Sequence, residues 1–337
     1  MSNKPRVILH VGGPKTGSTY IQKRLRLAPE LLRDKGVYVP ILPEVSAMAG
    51  NAKLLPIAID KNASKSFRRA FPSINPSNLS AKNIVSALIR DWRKESEILV
   101  LSAENFRPNH AQVMRDLLPR NTNYTVKLFI RRQDDWADSY FNQLTKTNDI
   151  TEGIERFVAR LCQSTEGRIA IPDWHAHYLA WTEAFADCDV VNFEEAKSNL
   201  LERLLPSDKI STLDDYPDLP PEQVSIGVFQ IAYLLQLDRN ISFADFILHR
   251  NAAYAAAQAT GLTMKRSLLS CESRRRLRER FEQGNFRLLS EVSLGQNKLE
   301  IDIESDNYCC LHDLYDSKNY AFFKQSIKEF LNNNSDF

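Results

Sequence analysis

Hydrophobic residues along the chain gather into short runs separated by longer stretches of helical periodicity. Runs rich in Val, Ile, Leu and Phe stand at 6–11 (RVILHV), 98–102 (ILVLS), 126–130 (VKLFI) and 189–193 (DVVNF). Continuous apolar runs of this length with β-branched residues mark strands buried on both faces of a parallel sheet. A shorter strand is expected at 37–40. Behind the first run, Ile21, Leu25, Leu31 and Leu32 recur at helical spacing and predict a helix over 20–33. Further helices are expected at 81–95, 112–117, 174–184 and 196–205. Another starts at Asp134 or Asp135 and runs through Lys146, with an acidic residue favourably placed at its start. Strands alternating with helices predict an α/β fold of three layers, a central parallel sheet flanked by helices.

The remaining segments read differently. Pro43, Pro56, Pro72 and Pro76 punctuate residues 42–80 into loops and short helices. A loop is expected at 217–221, and from Pro221 to about Leu294 the pattern is almost wholly helical. Within it Ser270 caps an Arg-rich amphipathic helix. Its arginines, Arg274, Arg275, Arg276, Arg278 and Arg280, read as a solvated face. Residues 295–337, with the polar run 332–334, form an extension that no pattern places. The expected organisation is one domain over 1–294, with an α/β core to about 210 and a helical part over 221–294, followed by that extension. No internal repeat is apparent.

At 337 residues the chain is long enough for one large or two small domains, and its 43% hydrophobic residues can fill a sizeable core. Charged residues make up 26% and the net charge is only +2, which argues against a charge-driven nucleic-acid binder. No apolar run reaches the roughly 20 residues needed to span a bilayer. The first residues lack the apolar core of a secretory signal, so a cytoplasmic location is expected. The five cysteines, Cys162, Cys188, Cys271, Cys309 and Cys310, are odd in number and widely spaced save for one adjacent pair. That fits neither a disulfide framework nor a zinc site and points to buried free thiols in a reducing compartment. His175 and His177 face one way only on a strand, and without a third ligand nearby they make a weak metal site. No metal is expected.

The chemistry concentrates after the first strand, in Gly12-Gly13-Pro14-Lys15-Thr16-Gly17-Ser18-Thr19. A strand feeding a glycine loop into a helix is an anion site, because backbone N–H groups and the positive helix end converge on a phosphate. Gly12 and Gly17 have the spacing of the nucleotide-triphosphatase loop, whose second glycine is followed by lysine. Here Ser18 follows, and the lysine stands inside the loop as Lys15.

The six residues 14–19 resemble the 5′-phosphosulfate loop of sulfotransferases that use 3′-phosphoadenosine 5′-phosphosulfate (PAPS) as donor. A second stretch extends the resemblance. The strand ending at Ile130 leads into Arg131, with Ser139 eight residues on, the separation of that family's 3′-phosphate site. A guanidinium fork and a nearby hydroxyl suit a phosphate dianion. A third is Ser102-Ala103-Glu104-Asn105-Phe106, which puts an acidic residue just past a strand end, where α/β folds bind ligands. In carbohydrate-directed members a glutamate there is the general base. Two softer similarities follow. Residues 181–193 match a late bacterial element except for Ala186 in place of Gly and Asn192 in place of Arg. Residues 280–286 match another except for Gly284 in place of Ser.

The resemblance implies a P-loop-like fold and in-line transfer of a sulfuryl group to a hydroxyl or amine, with a carbohydrate or glycolipid as acceptor. It implies that Lys15, Thr16, Gly17, Ser18, Thr19 and Tyr20 hold the 5′-phosphosulfate and adenine. Arg131 and Ser139 would hold the 3′-phosphate, and Glu104 would take the acceptor proton from a partly buried position. Glu104 also reads as a helix cap or ion-pair partner, and Tyr20 and His10 as core residues. Lys53, Arg68, Arg69, Lys146 and His249 are candidates for an acidic acceptor, with no spacing to select among them. A kinase with a degenerate loop and an inactive sulfonucleotide-binding protein remain as alternatives.

Overall fold

A computed structural model describes residues 5–41, 50–63, 65–90, 92, 96–150, 152–163, 173–210, 226–238, 240–292, 294, 299–304 and 308–333. The expected loop at 217–221, the end of the expected helix at 93–95, and residue 334 lie outside them. The chain divides into two compact units.

The first unit holds a five-stranded parallel sheet. Its strands are β1 (Arg6–Gly12), β2 (Val37–Tyr38), β3 (Ile98–Ser102), β4 (Asn123–Ile130) and β5 (Cys188–Asn192), in the order β2-β3-β1-β4-β5. Ile8 of β1 pairs with Val100 of β3 and with Thr125 of β4. The apolar runs are strands because both sheet faces are covered. On one face Ile8, Val100, Phe129 and Val191 pack with Ile21 and Leu25 of the Ser18–Leu27 helix and Leu200, Leu201 and Leu204 of the Leu200–Leu204 helix. On the other, Tyr124 of β4 lies 5.2 Å from the ring of Phe185, on the Trp174–Phe185 helix. The expected α/β architecture of a parallel sheet between helical layers is therefore the one found.

The differences from the sequence pattern have local causes. β4 starts at Asn123 rather than Val126, and its first three residues are exposed or half-buried, so no apolar run announces them. The helix expected over 196–205 is two, Phe193–Ala196 and Leu200–Leu204. The first starts early because the Asn192 side chain accepts from the Glu194 N–H at 2.9 Å and caps it. His175 and His177 lie on a helix, not a strand, so two residues apart they point in different directions. His175 Nε2 is 2.9 Å from Glu291, while His177 is buried with its pKa lowered to about 4 by desolvation. All five thiols are free, but only Cys188 is buried, its pKa pushed up to about 12 by burial. Cys271 is exposed and the other three are half-buried, which corrects the expectation of buried thiols.

The second unit is helical, as the pattern after Pro221 implies. Its helices include Gln133–Lys146, Ile154–Gln163, Val228–Leu235 and Phe243–Thr260. The extension beyond 294 contributes the Lys318–Asn333 helix, which packs on Phe243–Thr260. Its Phe323 meets Phe229 at 5.9 Å, and buried Tyr320 donates to Gln236 at 2.9 Å. The Arg-rich Cys271–Glu291 helix starts under a Ser270 cap. Its arginines do not all face solvent. Arg274 is buried and donates to fully buried Asp134 at 2.6 Å and to Ser267 at 3.0 Å. Arg132 donates to the same carboxylate at 2.7 Å. The carboxylate at the helix start, read from sequence as a capping feature, is thus the counter-ion of two arginines.

Candidate active site

The candidate site lies in the first unit, at the carboxyl ends of β1, β3 and β4. In this strand order the chain leaves β1 toward β2 and β3, then returns to the opposite side with β4. That makes β1 a topological switch point, where open α/β sheets bind ligands.

The loop after β1 has a backbone that few residues can follow. A Cβ at Gly12 would stand 2.6 Å from the Phe129 carbonyl oxygen on β4, so only glycine fits that approach. Gly17, the residue before the Ser18–Leu27 helix, has a φ of 86°, and a Cβ there would meet Leu200 at 2.8 Å. Thr16 is fully buried, and its hydroxyl donates to the Gly13 carbonyl at 2.8 Å, closing the loop on itself. Ser18 is also buried, its hydroxyl 3.4 Å from that of Thr16. Ligand contacts from these two residues would therefore fall to their backbone N–H groups. The helix start carries no acidic residue and no side-chain cap, which leaves its N–H groups for an anion. Thr19 is half-buried. Tyr20 is exposed, with the Arg24 guanidinium 5.9 Å from its ring centre.

Lys15 sits in the left-handed region at φ 68°. Burial lowers its pKa, the Arg131 charge lowers it further, and the Glu104 carboxylate raises it. The residues the sequence singled out after three separate strands thus share one electrostatic neighbourhood. Arg131 follows β4 and donates to the Lys15 carbonyl at 3.3 Å. It also pairs with Glu194 at 3.0 Å, and its guanidinium lies 5.0 Å from the Phe193 ring centre. Its own carbonyl accepts from buried Trp174 at 2.7 Å. Ser139 is on the second turn of the Gln133–Lys146 helix, half-buried, in the other unit.

Glu104 follows β3 and is partly buried. Lys53 Nζ is 3.4 Å from its Oε1. Lys53 is placed by its neighbour Asn51, whose buried side chain donates to the Val100 carbonyl at 2.7 Å and accepts from the Ser102 N–H at 2.8 Å. The amide acts as a surrogate strand along the edge of β3 beyond Tyr38. Lys53 is thereby singled out from the basic residues the sequence could not rank. Arg68 pairs instead with Asn62 at 3.0 Å, and His249 with the Tyr233 hydroxyl at 2.5 Å.

Beneath the loop, His10 is fully buried. Its Nδ1 is 2.7 Å from the Ser102 hydroxyl, which also accepts from Gln22 at 3.0 Å. Burial lowers its pKa to about 3, so the ring is neutral and serves as core, as the sequence reading has it. Asn51, Phe193 and Glu194 escaped that reading. The last two carried one signal, their position just past the end of a strand. Among the described residues no group of three metal-ligating side chains converges, and no helix is long and apolar enough to cross a membrane.

No family model matches the chain, and no curated protein matches it. Among solved structures, a sulfotransferase from Alicyclobacillus acidocaldarius aligns at 13% identity over 83% of this chain and 96% of that one, with a TM-score of 0.36. The sulfotransferase domain from the curacin biosynthetic pathway aligns at 14% identity over 71% and 80%, with a TM-score of 0.28. Likenesses this loose carry no weight for function, which rests on the residues of the site.

Proposed function

We propose that this protein is a sulfotransferase that moves a sulfuryl group from PAPS to a hydroxyl or amine of an acceptor, with a carbohydrate or glycolipid as the acceptor class. The observation that carries the reading is the position of Lys15. It lies inside a phosphate loop rather than after the second glycine, and it shares its electrostatic field with Arg131 and Glu104. The uncapped helix start and the half-buried residues Pro14, Lys15, Gly17 and Thr19 of the loop suit a 5′-phosphate. Arg131 is assigned to the 3′-phosphate, and Tyr20, exposed beside the loop, to the adenine.

The donor supplies a sulfuryl group joined to its phosphate through a bridging oxygen. Lys15 is placed to neutralise the negative charge that grows on that oxygen as the S–O bond breaks, a contact that strengthens in the transition state. Glu104 accepts the proton of the attacking hydroxyl as the new S–O bond forms. Lys53 keeps that carboxylate oriented from the acceptor side. Positioning and charge stabilisation carry such transfers, so no step calls for a metal. A reducing, cytoplasmic setting is part of this reading, on the odd number and wide spacing of the five cysteines.

A kinase reading is disfavoured by Ser18. The residue that stands where a nucleotide triphosphatase has its lysine is small and buried here. The test is calorimetric titration with 3′-phosphoadenosine 5′-phosphate, with Mg-ATP in parallel. Micromolar, metal-independent binding of the bisphosphate, weakened by Arg131→Ala, is expected. Binding of Mg-ATP alone would overturn the assignment.

A further inference from the structure

Glu194 is a carboxylate that the proposed chemistry does not use, and it pairs with Arg131, the arginine assigned to the donor. Asn192 caps the short helix after β5 by accepting from the Glu194 N–H. That cap sets Glu194 at the helix start, and its Oε1 lies 3.0 Å from the Arg131 Nη2. Phe193, beside it, covers one face of the same guanidinium, with the charge 5.0 Å from the ring centre. On its other edge Arg131 donates to the Lys15 carbonyl. Two of its terminal nitrogens are thus already engaged, one with a full negative charge, while its buried Nε has no hydrogen-bond partner among the described residues. Glu194 is partly exposed, and its other partner, Lys197 at 3.5 Å, is mostly exposed.

We propose that Glu194 is an internal competitor for Arg131: it occupies the guanidinium when the donor site is empty and, because its charge stays beside the site, weakens the hold on the donor's 3′-phosphate. This rests on the donor-site reading above. Two anions sharing one guanidinium repel each other, and at a partly exposed position the penalty is moderate rather than prohibitive. The consequence is a donor site tuned for turnover. Spent nucleotide keeps the 3′-phosphate, so every increment of grip on that phosphate also slows product release.

The experiment is calorimetric titration of the full chain with 3′-phosphoadenosine 5′-phosphate and, separately, with adenosine 5′-phosphate. The proteins are wild type, Glu194→Gln, Arg131→Ala and the double variant. Glutamine keeps the size and the accepting oxygen and removes only the charge, and the unfolding midpoint of each variant reports on folding. We expect Glu194→Gln to bind the bisphosphate about five- to tenfold more tightly. The gain should fall to about twofold or less for the monophosphate, which lacks the 3′ group, and should vanish in the Arg131→Ala background. A merely structural glutamate would give no tightening on removal. If Arg131→Ala weakens the bisphosphate but Glu194→Gln leaves it unchanged or weaker, the competitor role is overturned while the donor site stands. An equal gain for both nucleotides also overturns it, because the effect would then not pass through the 3′-phosphate. If Arg131→Ala itself leaves bisphosphate binding unchanged, the donor-site reading fails and the proposal with it.

Discussion

Gly17→Ala tests whether the loop after β1 is held as tightly as its geometry implies. Three effects combine. At φ 86° a side chain is strained by about 1–2 kcal/mol. The added methyl stands 2.8 Å from Leu200 Cδ1 and 3.0 Å from a ring carbon of Phe193. Leu200 is buried in the core under the sheet, so it has little room to move, and overpacking there costs about 1–3 kcal/mol. Alanine returns about 0.4–1 kcal/mol by restricting the unfolded chain. The net expectation is a loss of about 2–4 kcal/mol. Urea unfolding followed by tryptophan fluorescence suits the measurement, because Trp92, Trp174 and Trp181 are buried in the sheet-bearing unit and only Trp136 lies in the other. The steric share can be isolated. Leu200→Ala alone leaves a cavity and costs about 2–5 kcal/mol, but in the double variant the new methyl fills part of it. The double variant should therefore lose about 1–2 kcal/mol less than the sum of the singles. A loss under about 1 kcal/mol for Gly17→Ala, or strict additivity, would refute the argument.

Three further expectations follow from particular residues. Lys15→Ala should reduce sulfuryl transfer by about 2.7–4 kcal/mol, roughly 10²–10³-fold in kcat, by analogy with the loss of one donor from an oxyanion site. Its unfolding midpoint should barely move, since alanine bears the same left-handed strain as lysine; near-full turnover would sink the assigned role. Ala186→Gly should stabilise by about 0.5–1 kcal/mol in a denaturation series. Ala186 ends the Trp174–Phe185 helix at φ 62°, strain that glycine relieves at a smaller entropic cost. Asp138 lies in the second unit and titrates at about 6. Burial raises its pKa, the Leu268 N–H bond and Arg274 oppose the rise, and Asp135 and Asp134 add to it. Its folded pKa is above the unfolded one, so between pH 4 and 6 the folded state binds more protons and stability falls as pH rises. Asp138→Asn, which still accepts from Leu268 at 3.1 Å, should flatten that slope and gain about 1–3 kcal/mol at pH 7.5; an unchanged slope would assign it to another group.

The α/β sheet and the candidate residues of the site were legible in the sequence alone. Strand runs such as 98–102 are legible because burial on both faces leaves an unbroken apolar signature, and the loop at 12–19 because its glycines and lysine are local requirements of backbone and charge. How those candidate residues pair with others came only from the packing of distant segments. Nothing near Asn51 says that its amide completes the edge of β3 and so sets Lys53 beside Glu104. Arg274 looks like its four neighbours on an Arg-rich helix, yet it alone is buried, because Asp134, 140 residues away in sequence, supplies its counter-ion. Arg131 was visible as a candidate ligand, but its attachment to Glu194 was not. Periodicity reports which face of an element is buried. Which distant side chain meets it there depends on sheet order and helix packing, and local pattern carries no record of either.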